Sequence, residues 1–408
     1  MNRPATTPEV SAWRAETPGS DRLVHLNNAG AALVPHQVAD AVDAHLRLER
    51  ELGGYEAADA RREEIAAAHA SVARVLGAPA ASIAMVQNAT LGFAHALQAF
   101  DFRPGDRILT SRADYVSNQI MYLSLGRRCG VEIVRAPDGP AGGTDPDAVR
   151  SLISRQRPTL VALTWVPTNS GLVQPVEAIG ELCRAAEVPY LVDACQAAGQ
   201  LPVDVTRLGC DYLTGTARKF LRGPRGVGFL YVSERALAAG AHPLLVDMRG
   251  ATWSDPDDFT LVPDALRFES WEISHALVLG LGAAADYALK VGIETATHRA
   301  RALAAYARAR LSSVPGVRVL DRGPELCAIV TADLGVPADA VKTTLRARGI
   351  NTSSAEREDA VIDMDEKGTA SVLRISPHYY NTAEEIDIAV AAVGEAVTGN
   401  QETVNGER

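Results

Sequence analysis

The residues of this chain best placed to do chemistry together are an acid and a lysine, Asp193 and Lys219. Around them, from Leu191 to Val232, the sequence reads LVDACQAAGQLPVDVTRLGCDYLTGTARKFLRGPRGVGFLYV. An apolar run, Tyr190-Leu191-Val192, ends on Asp193, and a second, Tyr212-Leu213, leads into Thr214-Gly215-Thr216-Ala217-Arg218-Lys219. In an α/β sheet, groups just past the carboxyl ends of strands face the ligand crevice. The pattern therefore delivers a carboxylate and an amine to one place. A lone lysine beside a turn is usually solvated. Here Thr216 and Arg218 precede it closely, and Gly223, Gly226 and Gly228 let backbone pass near a bulky group. Lysine is also the residue type that condenses with carbonyl cofactors. An acid after a strand can simply cap the next helix. Paired with the ring nitrogen of pyridoxal phosphate, it would instead keep that ring an acceptor of electrons.

Two further segments have the residue types for cofactor contact. Asn88-Ala89-Thr90 sits between an apolar run and a helical pattern. Backbone N–H groups at a helix start bind phosphate, and Thr90 adds a hydroxyl; Asn and Thr are equally common as plain N-caps. Tyr115, at the end of the next strand-like run, is a ring for stacking on a cofactor or for packing in the core. By contrast, Gly280-Leu281-Gly282-Ala283-Ala284-Ala285 fits the G-x-G-x-x-A spacing but has helical periodicity around it and no strand before it. Close helix packing is the expectation there.

These groups need a scaffold, and the hydrophobic periodicity supplies one. Helices are expected at 35–51 and 61–76, then strands at 83–86, 106–110, 131–134 and 159–164, each followed by a helix. Strands separated by helices imply parallel βαβ units with both faces covered. From 276 the pattern changes to a long helical region ending near 311, with a break at Gly292. Strands at 317–320 and 328–330, a helix at 338–348, a strand at 372–376 and a helix at 383–397 follow. The expectation is an α/β fold: a large domain over 20–285 with a mainly parallel sheet, and a small C-terminal α/β domain over 286–398. Residues 1–19 read as an arm that packs late or stays mobile and 399–408 as a frayed polar tail.

The length of 408 residues suits two such units. A formal net charge of −10 argues against nucleic acid and anionic membranes as partners. No apolar run is long enough to span a bilayer and the N-terminus has no apolar signal core, so a soluble, cytoplasmic protein is expected. The five cysteines form no C-x-x-C pair and the histidines no i, i+4 pair beside an acid, so no metal is expected.

Together the segments LNNAG at 26–30, VDACQAAGQLPVDVTRLGCDYL, TARKFLRGPRGVGFLYV and RISPHYYNT at 374–382 resemble the class V aminotransferases of fold type I, which bind pyridoxal 5′-phosphate. The resemblance implies that Lys219 carries the cofactor and that Asp193 meets its ring nitrogen. It makes Gln196 and Asn169 contacts to the phenolic oxygen, and Ala89, Thr90, Thr216 and Arg218 phosphate ligands with Asn88 beside them. Tyr115 stands where the desulfurase branch has a stacked histidine, and Arg374 matches the arginine that grips a substrate carboxylate as a bidentate pair. Asn28, Trp271 and Glu272 are the further substrate contacts expected.

Three departures narrow the branch. Gly349-Ile350-Asn351-Thr352-Ser353-Ser354-Ala355 holds no cysteine where desulfurases carry a persulfide-forming one. Arg267-Phe268-Glu269-Ser270-Trp271-Glu272 replaces a segment whose threonine reaches the neighbouring subunit's phosphate in relatives. The F-E-x-W-E and H-Y-Y-N-T segments look most like the branch of hercynylcysteine sulfoxide lyase and related C–S lyases. The implied activity is β-elimination on an S-substituted cysteine or its sulfoxide by a homodimer with active sites near its interface. Transamination or decarboxylation of a related amino acid is the alternative. A non-catalytic cofactor binder is the reading from another class, and no basic arm or DNA-binding segment supports it.

Overall fold

Seven short runs, most of them rich in branched and aromatic side chains, pair into one sheet in the computed structural model, which describes residues 3–406. Residues 1, 2, 407 and 408, the outermost positions of the expected arm and tail, lie outside the described residues. The strands are β1 (Ile83–Val86), β2 (Arg107–Thr110), β3 (Glu132–Arg135), β4 (Leu160–Thr164), β5 (Tyr190–Asp193), β6 (Tyr212–Thr216) and β7 (Gly228–Val232), in the order β1-β7-β6-β5-β4-β2-β3. Strands β4, β5 and β6 are buried along their whole length, which is why their sequences read as continuous apolar runs rather than alternations. Only β7 runs antiparallel to its neighbours β6 and β1. The link over 217–227 is too short to hold a crossover helix, so the chain must turn back on itself there.

Helix His275–Val291 packs against His36–Leu52 and Arg62–Leu76, and the expected close helix packing lies here. A Cβ on Gly280 would stand 2.6 Å from Val42 Cγ2, and one on Gly282 2.7 Å from Ala68 Cβ. Gly292, at φ +86°, then turns the chain by 79° into Ile293–Leu311. No single helix among the described residues is long and apolar enough to cross a membrane.

A second, antiparallel sheet follows, with β8 (Arg318–Val319), β9 (Val330–Asp333), β10 (Ser353–Glu356) and β11 (Ser371–Ile375) in the order β8-β9-β11-β10. Strand β10 was not expected: Ser-Ser-Ala-Glu has no apolar alternation, and it is a strand because β11 supplies its hydrogen-bonding partners. The last helix, Ala383–Gly406, passes the expected end at 397 and takes in most of the polar tail, since no proline stops it and Gln401 and Glu402 favour helix. The arm is likewise not free. Helix Pro8–Ala15 docks through Arg14, whose guanidinium donates to Glu385 Oε1 at 2.8 Å and to the Ser20 carbonyl at 2.8 Å, and Trp13 meets Tyr379 edge-on at 5.1 Å. A solvent-facing hairpin, Ala251–Asp255 with Asp258–Leu261, was also missed, because its sequence buries nothing.

Gly282→Val overpacks the contact with Ala68 and is expected to lower stability by about 1–3 kcal/mol in urea unfolding, against an exposed control such as Gly399→Ala.

Candidate active site

The carboxyl ends of β2, β4, β5 and β6 bring polar side chains out of an otherwise apolar sheet. Thr164, Asp193 and Thr214 stand side by side in register across β4, β5 and β6. Asp193 is buried, and its two oxygens are held separately: Oδ2 accepts from Asn118 Nδ2 at 2.9 Å and Oδ1 from the Cys195 N–H at 2.9 Å. The next carboxylate, Asp114, is also buried. It accepts from Thr110 Oγ1 (2.7 Å), Tyr122 OH (3.1 Å), the Tyr115 N–H (2.8 Å) and the Thr164 hydroxyl. Asn118 reaches both acids, lying 3.4 Å from Asp114 Oδ1. Burial raises the Asp114 pKa, the hydroxyls of Thr164 and Thr110 oppose this, and the charge of Asp193 adds to it.

Facing the acids are cations that form no ion pair among the described residues. Lys219 is buried, and its Nζ lies 5.8 Å from the Tyr115 ring centroid with no ion-pair partner among the described residues. The chain has four lysines, and the other three pair with Glu16, Asp339 and Asp363. Burial pushes the Lys219 pKa down; Cys195 and Asp193 oppose this, while Arg218 and Arg374 add to it. Arg374, on β11, is buried with its Nη1 donating to the Thr168 carbonyl at 3.1 Å, its Nη2 to Asn27 Oδ1 at 3.1 Å, and its Nε unpartnered. Desolvation and the nearby Arg218 charge lower its pKa to about 10. Arg218, half-buried, donates to the Gly30 carbonyl. Among the described residues no carboxylate lies within ion-pair distance of Lys219, Arg218 or Arg374.

At the other end of the crevice, Asn88 caps helix Ala89–Gln98 by accepting from the Leu91 N–H at 2.9 Å. Its side chain is therefore spent on the helix, while the first-turn N–H groups of Ala89 and Thr90 have no partner within that helix. A Cβ on Gly228 would stand 3.1 Å from the Ala89 nitrogen, so glycine there keeps the helix start open. Thr216 ends β6 nearby and is buried. Gln196 donates to the Ala29 carbonyl at 3.1 Å and leaves Oε1 buried without a partner. Asn169 is buried and touches the Asp359 carbonyl at 3.5 Å.

Two expectations about substrate contacts do not fit this geometry. Asn28 is fully buried and its amide is fully used: Nδ2 donates to the Ser376 carbonyl at 2.7 Å and Oδ1 accepts from Tyr380 OH at 2.6 Å. Its neighbour Asn27 is the one that reaches Arg374. Trp271 and Glu272 lie in a separate cavity of about 1050 Å³ that shares no residue with the walls around Tyr115 and Asn169. Glu269 anchors their segment away from Lys219 by accepting from His69 at 2.7 Å and the Met85 N–H at 2.7 Å. Sequence reasoning also passed over Asp114 and Asn118, although their i, i+4 spacing at a helix start was a readable signal, and Thr168, whose contribution is a carbonyl.

The lysine loop is fixed from behind by Arg222, at φ +60° and 1% exposed. Its guanidinium donates to the Leu33 carbonyl (2.9 Å), Tyr379 OH (2.7 Å) and Thr17 Oγ1 (2.6 Å), and lies 4.4 Å from the Tyr380 ring centroid. N-terminal and C-terminal segments thus meet three residues from Lys219.

Comparison with known proteins places this geometry. The family described as aminotransferase class-V matches residues 24–388. A probable hercynylcysteine sulfoxide lyase of Mycobacterium tuberculosis (strain CDC 1551 / Oshkosh) is 31% identical, covering 100% of this chain and 97% of that protein. The cysteine desulfurase CsdA of Escherichia coli, solved as its S-sulfonic acid, superposes with a TM-score of 0.86 at 26% identity, over 96% of this chain and 99% of that one. C-DES, solved with glycine covalently linked to its pyridoxal phosphate cofactor, gives a TM-score of 0.83 at 23% identity, over 94% and 99%.

Burial lowers the Lys219 pKa below the ordinary lysine value of about 10.4, so its amine loses its proton at lower pH than an exposed lysine's. In ligand-free protein, an aldehyde with cyanoborohydride at pH 8 is expected to modify Lys219 ahead of Lys290, Lys342 and Lys367, as read by peptide mass mapping. Equal labelling of all four would refute the buried, unpaired amine.

Proposed function

The chain belongs to the class-V aminotransferase family, a family of pyridoxal-phosphate-dependent enzymes, and from that premise we propose that it is a C–S lyase acting by β-elimination on S-substituted cysteines or their sulfoxides. Its cofactor is pyridoxal 5′-phosphate, and the residues present fit that group. Lys219 has an unpaired buried amine, Asp193 is a fixed carboxylate, Gln196 has an orphaned amide oxygen, and the open helix start at Ala89 and Thr90 lies near Thr216. Asn169, Arg218 and Tyr115 complete the proposed set of contacts, and Asn88 supports it as the helix cap. When bound, pyridoxal phosphate supplies the electron sink for the pair left at Cα.

This chain's own residues do the rest. Arg374, with its Nε unpartnered, takes the substrate carboxylate. Lys219 would hold the cofactor until substrate binds and would then act as the base toward the α-proton, its pKa lowered by burial. Asp193, held rigidly by Asn118, stabilises positive charge at the ring nitrogen. The β-sulfur departs with its bonding electrons as thiolate, or as sulfenate from a sulfoxide, and the three-carbon remainder hydrolyses to pyruvate and ammonia.

The observation that carries this reading over a desulfurase is the absence of a usable thiol. Thr352 and Ser353 occupy the segment across from Arg374 on β10. Cys327 is fully buried, with burial pushing its thiol up to about 12, and Cys195 is held protonated by burial and the charge of Asp193. A homodimer is part of the proposal. The exposed side chains Tyr55 (75%), Leu245 (81%) and Met248 (69%), with Trp271 and Glu272 in the 1050 Å³ cavity, support a subunit contact on that face.

Incubating the holoenzyme with an S-alkyl cysteine or its sulfoxide is expected to release pyruvate and the sulfur product in equal amounts. Lys219→Ala should abolish turnover and the visible band of the lysine-bound cofactor. Arg374→Leu should lower kcat/KM by a factor equivalent to about 2–5 kcal/mol, through loss of a buried charge partner. Accumulation of the pyridoxamine form without pyruvate points to transamination and defeats the lyase assignment.

A further inference from the structure

Helix Val116–Cys129 carries two apolar stripes where one would suffice. Tyr122 turns into the core, and Asn118 into the acid network at Asp193. Val116, Ile120 and Leu123, at i, i+4 and i+7, share a different face and line a cavity of about 320 Å³. Ile120 is 59% and Leu123 45% exposed, an unusual position for large aliphatic side chains so near a polar crevice. The opposite wall comes from the other sheet unit, through Val361 (43% exposed) and Ile362 at the start of helix Val361–Lys367. Tyr115 and Asn169 form the inner end of the same cavity, and the contact of Asn169 with the Asp359 carbonyl joins its two walls.

We propose that this cavity is the subsite for the group carried on sulfur, and that it selects S-substituents with a bulky apolar body, aryl or branched alkyl. The inference rests on the C–S lyase reading and extends it to substrate class. Position supports it: Lys219 Nζ lies 5.8 Å from the centroid of the Tyr115 ring, and the same ring borders the cavity, so Tyr115 is shared between the lysine's surroundings and this space. Size supports it as well. At roughly 30 Å³ per water-sized group, the space holds about ten such groups, far more than a methyl needs. Part of the charge on the walls is already engaged, while Glu358 and Asp359 on the same walls pair with no cation among the described residues. Arg112 pairs with Glu366, Asp363 with Lys367 at 2.6 Å, and Arg135 is held by Gln119 Oε1 at 3.1 and 2.8 Å. The contact area for an apolar group comes from Val116, Ile120, Leu123, Val361 and Ile362, with the acids Glu358 and Asp359 beside them.

The test uses holoenzyme with S-methylcysteine and S-benzylcysteine, measuring pyruvate release and, independently of turnover, dissociation constants from the absorbance change of the bound cofactor. The expected preference for S-benzylcysteine is about 10- to 200-fold. Ile120→Glu on the large-domain wall and Val361→Glu on the facing wall should each cut that preference at least about tenfold. Both sites are exposed, so retained cofactor absorbance and melting transition serve as folding controls. Equal treatment of the two substrates by the wild type, or a preference unmoved by both variants, overturns the subsite. If S-benzylcysteine binds more tightly and both variants weaken it, yet no pyruvate forms, the subsite stands as a side-chain pocket and the lyase reading falls alone.

Discussion

The crevice is organised by separated charge. Lys219, Arg218 and Arg374 line one side with no carboxylate in ion-pair reach among the described residues, and Asp193 and Asp114 line the other with no cation in reach. Removing isolated ions from water costs several kcal/mol apiece even after relaxation. A fold that only had to be stable would have brought these groups together and neutralised them. Keeping them apart creates a site completed by a molecule with an anionic end and a cationic ring, and that requirement explains the burial around it.

Holding like charges in place takes rigid neighbours. On the acidic side the rigidity comes from the amide of Asn118 and the hydroxyls of Thr110, Thr164 and Tyr122, every one on a strand end or on the helix that follows β2. Such donors lend partial positive charge without the freedom of a lysine or the full charge of an arginine. On the cationic side it comes from backbone carbonyls, those of Gly30 and Thr168, together with Asn27. Carbonyls orient a guanidinium while leaving its net charge available to a ligand.

This division also decides what could be read from the sequence. The strands announced themselves because five of them are buried along their whole length, and an acid or a Thr-x-Arg-Lys run at the end of such a strand can point only into the crevice. Lys219 and Asp193 were legible for that reason, whereas Arg374, inside β11 of the second sheet, was reached only through the family resemblance. Asn27 and Asn28 were not separable, because adjacent residues of one type face opposite ways and only the path of the backbone tells which is buried. The carbonyl of Thr168 has no residue type to advertise it. Strand β10 and the surface hairpin were missed on the same principle, since each exists through pairing rather than through its own apolar pattern. Trp271 and Glu272 follow sequence kinship to a place the single chain does not bring to Lys219.

Arg222 adds a constraint in time as well as in space. Its partners, Thr17 and Leu33 near the start of the chain and Tyr379 and Tyr380 near its end, are separated by almost the whole length of the polypeptide. A ribosome emitting this chain has released both carboxylates and the lysine long before the tyrosines and Arg374 emerge. The acid half of the crevice can order during synthesis, but the clamp behind the lysine loop closes only when translation is nearly finished. A chain stopped short of residue 374 lacks both Arg374 and the tyrosines that hold Arg222 behind the lysine loop.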